Sequence, residues 1–355
     1  MLAVAARVAM LGFDVAVAAP RSGPLAGELL ARGIRHIPLN SNVVDASLPI
    51  DDRRKELCAL LAHERPDLLH ANSLVMGRLS GPVAMGLRIA SLSHLRDIMR
   101  VNRVAGRDLC CHRRLLAVSQ AVKSWYSGLG FPENQIRVIH NGVDLERFQP
   151  RPSSGFLTSE LGLPPSSQLV LSIGQFILRK GFDVLLDAAE IVVAQRCSVH
   201  FAIVGARFSD KPETVEYERT LLRRANEAPL RGHVHFLGLR SDVEQLLTEV
   251  SLLVHPARQE PLGRVLLEAA ASGVPVVATR VGGTEEVFPD SSGAALLVPA
   301  GDPAGLASAV QIALGNEPLR RRMSAAARAI AESRFDAGQA AAALAEQYRE
   351  VLNGT

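Results

Sequence analysis

Aromatic side chains are scarce in this sequence of 355 residues, where they make up 4% of the chain and include one tryptophan. Proteins that bind single-stranded nucleic acid commonly stack the bases on aromatic rings, so the shortage argues against that class. No nucleic-acid reading motif is present either, and we expect no nucleic-acid partner. Apolar residues make up 48% and charged residues 21%, which excludes a disordered tail or a coiled coil.

Cysteine is scarce as well. No two of the four cysteines stand in a CxxC spacing; they are Cys58, Cys110, Cys111 and Cys197. This pattern excludes a disulfide framework and a cysteine-ligated zinc site, and it indicates a protein of the reducing cytoplasm. Because no cluster of histidine and aspartate stands out, we expect no metal ion and no cofactor.

The chain also lacks an uninterrupted apolar run. Residues 1–19 are mostly apolar, but Arg7, Gly12 and Asp14 break the run and no basic residue opens it. A signal peptide or a membrane span is therefore not expected. The pattern instead predicts a helix over residues 2–11 and a buried strand over residues 13–19.

Short apolar runs alternate with stretches long enough for a helix, which is typical of an α/β protein with βαβ units and parallel sheets. Further strands are predicted over residues 34–38, 68–71, 89–93, 115–119, 136–139, 169–174, 199–205, 234–237, 252–255, 274–278 and 295–298. The length exceeds that of one ordinary core, and prolines over residues 151–168 predict a linker. We expect domains over residues 1–150 and 169–335, with a helix over residues 336–355 that packs back on the first.

The densest polar loop follows the predicted strand that ends at His255. It contains Glu260 and Gly263 and leads into a helix that carries Glu268. Exposed amides at such a helix start bind anions, above all phosphate. If one helix covers both glutamates, they lie about 12 Å apart along its axis, whereas the carboxylate pairs of glycosidases lie about 5 to 9.5 Å apart. The spacing favours a long ligand such as a nucleotide sugar, although acidic residues near a helix start are also ordinary.

Two further loops follow predicted strands. Gly174 opens the first, in which Arg179 and Lys180 provide the cations that neutralise a leaving diphosphate. Taken alone, this stretch also fits an ordinary loop. Glu286 lies in the second loop, after two glycines whose backbone has room for a sugar or a phosphate, and it is placed to bind hydroxyls or to cap a helix.

Together these segments resemble the retaining glycosyltransferases of family 4. The resemblance rests on EPLGRVLLEAAASGVPVVAT with its two glutamates, on VGGTEEV after it, on GQFILRKGFDVLL before it and on VIHNGVDLERF at the end of the first domain. It implies the GT-B fold, in which two doubly wound Rossmann-like domains face a cleft. The first domain would bind the acceptor and the second a nucleotide sugar.

The resemblance also implies roles for single residues. Glu268 would hold the ribose and Glu260 would lie near the transferred sugar. Arg179 and Lys180 would bind the diphosphate. His94 resembles a histidine that lines the sugar and acceptor site, although a lone histidine is often structural. The remaining donor contacts would come from Gly174, Leu262, Gly263, Arg264, Val265 and Glu286.

Members of the family usually open with a strand and a glycine-rich loop before the first helix. This sequence begins within that helix. The expectation is therefore that the first strand of the N-terminal domain is missing and that the stated start of the chain lies too late.

The implied reaction moves a hexose from a nucleotide diphosphate sugar, by default a UDP-sugar, to a hydroxyl of a glycan or lipid-linked acceptor. The acceptor would attack on the face from which the diphosphate leaves, so the anomeric configuration is retained, and no metal ion is needed. Two alternatives stay open. One is a nucleotide-sugar epimerase of the same architecture, and the other is a noncatalytic relative that binds a glycan or a partner.

Positive charge is concentrated in the first part of the chain. Residues 1–150 hold 19 Lys and Arg against 13 Asp and Glu, and the remaining residues hold 20 against 23. One predicted helix face carries Arg96, Arg100, Arg103 and Arg107. This stripe predicts contact with a charged acceptor or with the anionic inner face of the cell membrane, although a solvated helix face would show the same spacing.

Overall fold

A computed structural model of the chain describes residues 2–354. The strands in this range are β1 (Ala16–Pro20), β2 (Arg35–Leu39), β3 (Leu68–Ala71), β4 (Ala90–Leu95), β5 (Arg114–Ala117), β6 (Ile136–Val138), β7 (Gln168–Ile173), β8 (Val199–Val204), β9 (Val234–Gly238), β10 (Leu252–His255), β11 (Val276–Thr279) and β12 (Ala295–Val298). The α-helices are α1 (Leu2–Met10), α2 (Pro24–Ala31), α3 (Ser41–Val44), α4 (Ile50–Glu64), α5 (Leu74–Leu87), α6 (Arg103–Cys110), α7 (Gln120–Gly128), α8 (Phe156–Glu160), α9 (Phe182–Val193), α10 (Pro212–Ala225), α11 (Val243–Thr248), α12 (Arg264–Ala271), α13 (Thr284–Val287), α14 (Pro303–Gly315), α15 (Glu317–Arg334) and α16 (Ala337–Asn353). Short 3-10 helices cover Glu133–Gln135, Leu178–Lys180 and Asp290–Ser292.

All predicted strands are present in the structure. Their ends shift most at β1, which begins at Ala16 rather than at residue 13. Phe13 lies before the strand, where its ring packs edge-on against Tyr348 at a centroid distance of 5.3 Å. Across residues 2–354, no helix combines the length and the apolar character that a membrane crossing requires.

The chain divides into two units. The first unit consists of Met1–Gly142 and Ala337–Thr355, and the second unit of Val143–Asp336. The division lies before residue 150 because the Val143 N–H donates to the Phe335 carbonyl at 2.7 Å, which ties this segment to the end of α15. The expected linker over residues 151–168 lies inside the second unit, where it contains α8 and where Ser154 bonds to Glu249 through its N–H and its hydroxyl.

One parallel sheet of six strands forms the centre of the second unit, in the order β12-β11-β10-β7-β8-β9. Strands β8, β10 and β11 are buried along their whole length, as apolar strands are when helices cover both faces of a sheet. The core includes Leu186 and Val192 from α9 and Leu306 from α14. The strand order reverses between β7 and β10, and such a reversal forms a crevice at the carboxyl ends of the strands.

The first unit holds two separate parallel ladders, β1-β2 and β3-β4-β5-β6. Within the described part of the chain no ladder joins β1 to β3. Strands β4 and β5 are buried at every residue, whereas β1 and β2 each bury one. Leu344 and Val351 of α16 share a cluster with Val8 of α1 and with Leu92 and Leu116 of the sheet. The end of the chain therefore completes the core of the first unit.

Candidate functional site

The first candidate site lies where β7 and β10 run side by side in the second unit. Leu253 of β10 pairs with Leu171 of β7, so the loops that follow these two strands leave the same edge of the sheet. Ligands bind at this edge in open parallel sheets. The topology thus brings the 174–181 loop next to the 256–263 loop, and both carry predicted site residues.

A buried ion pair joins the two loops. The Lys180 Nζ lies 2.5 Å from Oε2 of Glu260, and Nε2 of His255 lies 2.8 Å from the same oxygen. Glu260 is 5% exposed and His255 is 2% exposed. Lys180 and Glu260 were both predicted for the site, whereas His255 was not, although it ends the strand that leads into the loop.

The protonation states in this cluster follow from its contacts. Burial alone would raise the pKa of Glu260, but the hydrogen bond from His255 and the charge of Lys180 hold that pKa well below its ordinary value. Burial lowers the pKa of His255 despite the nearby carboxylate. At neutral pH the cluster therefore holds an ionised Glu260, an ammonium on Lys180 and a neutral imidazole that donates through Nε2.

A second ion pair fixes the 256–263 loop to the start of α9. Arg258 makes two hydrogen bonds of 2.7 and 2.5 Å to the carboxylate of Asp183. The Tyr217 hydroxyl donates to the same carboxylate at 2.8 Å, and the Arg258 N–H donates to the Arg179 carbonyl at 2.8 Å. Two-point Arg–carboxylate bonds restrict orientation as well as distance. The pair holds the two loops together, and no sequence pattern had pointed to it.

Gly181 allows the backbones of the two loops to approach. It adopts φ 70°, in the left-handed region that favours glycine, and a Cβ atom at this position would strike the Pro256 carbonyl oxygen. Any larger residue would push the loops apart. The close approach therefore keeps Lys180, the preceding residue, within reach of Glu260.

Helix α12 begins at Arg264, so Glu260 lies in the loop before it, and the condition that one helix covers both glutamates is not met. Gly263 at φ 94° prevents the helix from extending toward Glu260, and the helical spacing of about 12 Å does not apply. Glu268 is 9% exposed, and its Oε1 lies 3.1 Å from the Arg264 Nε. Burial raises the pKa of Glu268, and Arg264 opposes that effect.

The other predicted donor residues lie around these loops. Gly174 follows β7 directly and donates its N–H to the Val204 carbonyl at 3.0 Å. Arg179 is half-buried on the short helix before Gly181, and Glu286 is half-buried on α13. Gly283, just before α13, donates its N–H to the Glu260 carbonyl at 2.9 Å. In the segment before and into α12, Leu262 and Gly263 are buried, Val265 is half-buried and the Arg264 side chain is largely exposed.

A second polar cluster lies in the first unit around His94. This residue of β4 is 4% exposed, and its Nδ1 lies 2.9 Å from Nε2 of His70. The His70 Nδ1 lies 2.6 Å from the hydroxyl of Tyr348 on α16. Burial holds the pKa of His94 well below its ordinary value, and burial together with the charge of Arg96 lowers the pKa of His70 to about 3. Both imidazoles are therefore neutral, and only His94 had been predicted for a site.

The predicted arginine stripe does not lie on one helix. Strand β4 ends at Leu95 and α6 begins only at Arg103, where the side chain of Asn102 caps its first turn. Arg96 and Arg100 therefore lie in the connecting loop. The spacing of the four arginines fits a helix, but a strand end and a helix cap interrupt it.

Arg96 belongs to the polar cluster rather than to the surface. Its Nη2 lies 2.7 Å from the Asn72 Oδ1 and 3.3 Å from the His94 Nδ1, and its Nη1 lies 2.7 Å from the Asn141 Oδ1. Arg96 thus brings together three segments of the first unit. The other arginines of the expected stripe are exposed; they are Arg100, Arg103 and Arg107.

Within residues 2–354, no group of three or more His, Cys, Asp or Glu side chains is placed to hold a metal ion. All four cysteines are free thiols.

Two protein-family models match the chain, one in each half. Residues 156–330 match the model of the group 1 glycosyl transferases, and residues 1–147 match the model of glycosyltransferase family 4. The first match contains Lys180, Glu260 and Glu268. The second contains His94.

Three of the chain's curated relatives carry names from lipopolysaccharide core biosynthesis, and others are D-inositol 3-phosphate glycosyltransferases. The glycosyltransferase LpsD of Rhizobium meliloti is 31% identical over 280 residues, which are 78% of this chain and 73% of LpsD. LpsE of the same organism is 31% identical over 198 residues, which cover 56% of this chain and 53% of LpsE. The mannosyltransferase LpsB is 30% identical over 216 residues, or 61% of each chain. The match thus spans about half to three fifths of the length of LpsE and LpsB.

Solved structures resemble the whole chain. HepE of Anabaena in complex with UDP-glucose has a TM-score of 0.86 at 22% identity, covering 98% of this chain and 96% of HepE. WaaG, a glycosyltransferase involved in lipopolysaccharide biosynthesis, has a TM-score of 0.71 at 18% identity, covering 100% of this chain and 95% of WaaG. At these identities the likeness is one of fold.

Proposed function

Because the chain belongs to the group 1 glycosyl transferases and has the GT-B fold, we propose that it transfers a hexose from a UDP-sugar to a hydroxyl of a glycan or lipid-linked acceptor, with retention. The Lys180–Glu260 pair at the crevice of the second unit carries the proposal. The UDP-glucose bound to HepE supports the donor class, and the lipopolysaccharide-core relatives support the acceptor class. These relatives favour a transferase over an epimerase or a noncatalytic binding protein.

The nucleotide diphosphate binds at the two loops of the second unit. Lys180 has three N–H donors and gives one to Glu260, which leaves two for phosphate oxygens. Arg179 adds a second cation beside it. The amides at the start of α12 face the same anion, since the first N–H groups of a helix have no partner within it. The buried Glu268 accepts hydrogen bonds from the ribose hydroxyls.

Glu260 orients the transferred sugar. Its carboxylate is ionised and held on one oxygen by Lys180 and His255, so its position is fixed before the sugar arrives. An ionised carboxylate accepts hydrogen bonds from sugar hydroxyls. His94 of the first unit donates to the sugar or to the acceptor, and the first unit supplies the acceptor contacts.

In the proposed reaction the bond from the anomeric carbon to the UDP oxygen breaks, and a bond from that carbon to the acceptor oxygen forms on the same face. The proton of the acceptor hydroxyl passes to the departing phosphate oxygen. Arg179, Lys180 and the α12 amides stabilise the charge on UDP without a metal ion. No covalent enzyme intermediate forms.

The test measures release of UDP from UDP-glucose and from other UDP-hexoses, with and without glycolipid acceptors, and determines the anomeric configuration of the product by NMR. Lys180→Ala and Glu268→Ala should lose transfer, while Lys211→Ala and Glu285→Ala, on exposed sites of the same unit, should keep it. Equal turnover in all four variants, or inversion at the anomeric carbon, would contradict the proposal. A change of sugar identity without an acceptor would favour the epimerase.

We further propose that the first unit docks on the anionic inner face of the cell membrane, so that the protein is cytoplasmic and peripheral. The docking surface consists of Met99, Arg100, Arg103, Val104 and Arg107, and we call it the cationic patch. Its Met99 and Val104 are 49% and 53% exposed. The Trp125 indole holds this loop by donating to the Met99 carbonyl at 3.0 Å. Apolar side chains between arginines suit the headgroup region of an anionic bilayer.

Flotation with vesicles tests the patch. Replacing its three arginines by glutamine should weaken binding to vesicles that contain phosphatidylglycerol by about 3 kcal/mol, since each basic residue near such a surface contributes about 1 kcal/mol. The matched control replaces Arg219 and Arg223, which are exposed on α10 of the second unit. Equal binding of wild type and patch variant, or equal binding to neutral and anionic vesicles, would refute membrane docking.

A further inference from the structure

The hydrogen-bonded chain from α16 to β4 in the first unit has a defined direction. Arg96 can only donate, and its Nη2 lies 3.3 Å from the His94 Nδ1, so this nitrogen carries no proton. The His94 Nδ1 therefore accepts from the His70 Nε2 at 2.9 Å. With its proton on Nε2, His70 accepts at Nδ1 from the Tyr348 hydroxyl at 2.6 Å. We call Tyr348, His70 and His94 the histidine relay.

The surroundings hold each member of the relay in place. The centroids of the two imidazoles lie 5.0 Å apart and the ring planes are inclined by 28°. The Tyr348 ring packs edge-on against Phe13 at 5.3 Å. Burial raises the pKa of Tyr348, so its hydroxyl keeps the proton that it donates. Asn72 and Asn141 accept hydrogen bonds from Arg96 and so fix the guanidinium that sets the direction of the hydrogen-bonded chain.

The relay ends on a buried donor. Because the His94 Nδ1 is an acceptor and the imidazole is neutral, its proton sits on Nε2. This nitrogen is buried and has no hydrogen-bond partner among the described residues. A buried donor without a partner is unfavourable, because it has lost its hydrogen bond to water. A buried polar atom without a partner calls for an explanation, and a bound ligand can supply the missing acceptor.

We propose that Tyr348 and His70 are positioning residues that hold His94 as its Nε2–H tautomer, so that it presents one fixed N–H donor to a substrate oxygen. The proposal rests on the proposed transferase function and assigns a part in it to α16, at the end of the chain. Tyr348 and His70 act through His94 and need no contact with the substrate. In the other tautomer the Nε2 of His94 would accept a hydrogen bond instead of donating one to that oxygen.

Histidine tautomers are directly measurable in protein labelled with 15N-histidine, from long-range correlations between ring protons and ring nitrogens. In the wild type His70 and His94 should both carry the proton on Nε2. His112 provides an internal reference, since its Nε2 lies 3.0 Å from the Gly77 carbonyl, which can only accept. Tyr348→Phe removes the hydrogen bond to the His70 Nδ1 and should shift the 15N resonance of that nitrogen, while His112 stays unchanged. A proton on Nδ1 of His94 in the wild type, or unchanged spectra in the variant, would overturn the proposal.

Kinetics then separate positioning from a merely structural role. Gln at position 70 can accept from Tyr348 and donate to His94, whereas Leu can do neither. His70→Leu and Tyr348→Phe should lower kcat/KM by about ten- to a hundredfold, by analogy with the range for partners that orient metal-ligating histidines. His70→Gln should retain activity within about threefold, well short of that range. Equal losses in His70→Gln and His70→Leu would overturn the proposal.

Tyr126→Phe is the matched control, because the buried Tyr126 hydroxyl donates to the Asp97 carbonyl at 3.2 Å in the same unit but outside the relay. Its kcat/KM should equal that of the wild type, and a loss as large as that of Tyr348→Phe would show a general effect of hydroxyl removal and overturn the assignment. The spectra require no substrate. If the wild type shows the expected tautomers but transfers no sugar, the result would contradict the proposed function and support the histidine relay.

Discussion

The two units share a parallel-sheet architecture but differ in how their sheets are completed. In the second unit six strands form one sheet, and β8, β10 and β11 are buried at every residue. In the first unit the strands form two ladders, β1 and β2 are mostly accessible, and α16 from the far end of the chain completes the core. In the second unit, loops that directly follow the strands of one sheet position the site. In the first unit, the polar cluster depends on a contact between segments that are distant in sequence.

The clusters of the two units also differ in charge. The second unit pairs an ammonium with a buried carboxylate, Lys180 with Glu260, beside the start of α12. In the first unit two neutral imidazoles and a tyrosine stand beside one guanidinium. Charged groups suit a diphosphate, and a neutral N–H donor suits a sugar oxygen. Under this account the second unit binds the leaving group and holds the sugar through Glu260, and the first unit supplies a neutral donor to the sugar or the acceptor.

The largest expected effect is the loss of activity on changing the carboxylate of the second unit. Glu260→Gln should lower kcat/KM by about a hundred- to a thousandfold, the usual effect of removing a preorganised electrostatic partner. Steady-state kinetics with the UDP-sugar as varied substrate measures the loss. Glu285→Gln, on an exposed glutamate of the same unit, is the control. A loss below tenfold would remove Glu260 from the site.

The difference in sheet completion predicts a difference in stability effects. Leu186→Ala, at a fully buried position of the second unit, should lower the free energy of unfolding by about 2 to 5 kcal/mol. Val17 of β1 is half-buried. Val17→Ala should lower the free energy of unfolding by about 1 kcal/mol or less, since less apolar surface is lost. Urea unfolding followed by circular dichroism measures both. Equal effects would show that β1 is packed as tightly as the second unit.

A smaller effect is expected from the close approach of the two loops. Gly181→Ala should destabilise the protein by roughly 1 to 3 kcal/mol beyond the backbone strain, because its Cβ would meet the Pro256 carbonyl. Gly33→Ala in the first unit is the control, with φ 63° and nothing within 4 Å of a Cβ, and should show only the strain of about 1 to 2 kcal/mol. Thermal melting compares the two variants. Identical changes in Tm would mean that the loops can separate freely.

Acid should affect the first unit through its buried imidazoles. Burial lowers the pKa values of His94 and His112 and, with Arg96, that of His70 to about 3, so the folded state stays neutral where the unfolded state takes up protons. The stability that these neutral imidazoles contribute is complete above pH 6.5 and is lost as the pH falls below it, by about 1 kcal/mol at pH 5.5 for His70. The fluorescence of Trp125, the single tryptophan, follows unfolding of this unit in urea. A midpoint that stays constant from pH 7.5 to 5.5 would show that these imidazoles titrate normally, and His70→Gln should make the dependence shallower.

Strand positions could be predicted from sequence because buried parallel strands are short apolar runs between polar segments. The bend before α12 could not be predicted from sequence. Only the backbone angle of Gly263 shows that Glu260 lies outside the helix. The arginine spacing predicted one helix. Helix α6 begins only after its N-cap residue Asn102, so Arg96 and Arg100 lie before the helix. His70 and Tyr348 are 278 residues apart, and their contact follows from the packing of α16, which no local pattern contains.

The central claim is that the second unit binds the nucleotide, with Glu268 on its ribose, and that His94 of the first unit contacts only the sugar or the acceptor. Calorimetric titration with UDP, which lacks the sugar, tests it most directly in wild type, Glu268→Ala and His94→Ala. Glu268→Ala should weaken UDP binding about tenfold or more, because a buried carboxylate loses its hydrogen bonds to the ribose, and His94→Ala should bind UDP as tightly as the wild type. Undiminished binding by Glu268→Ala, or an equal loss in His94→Ala, would contradict this division of roles.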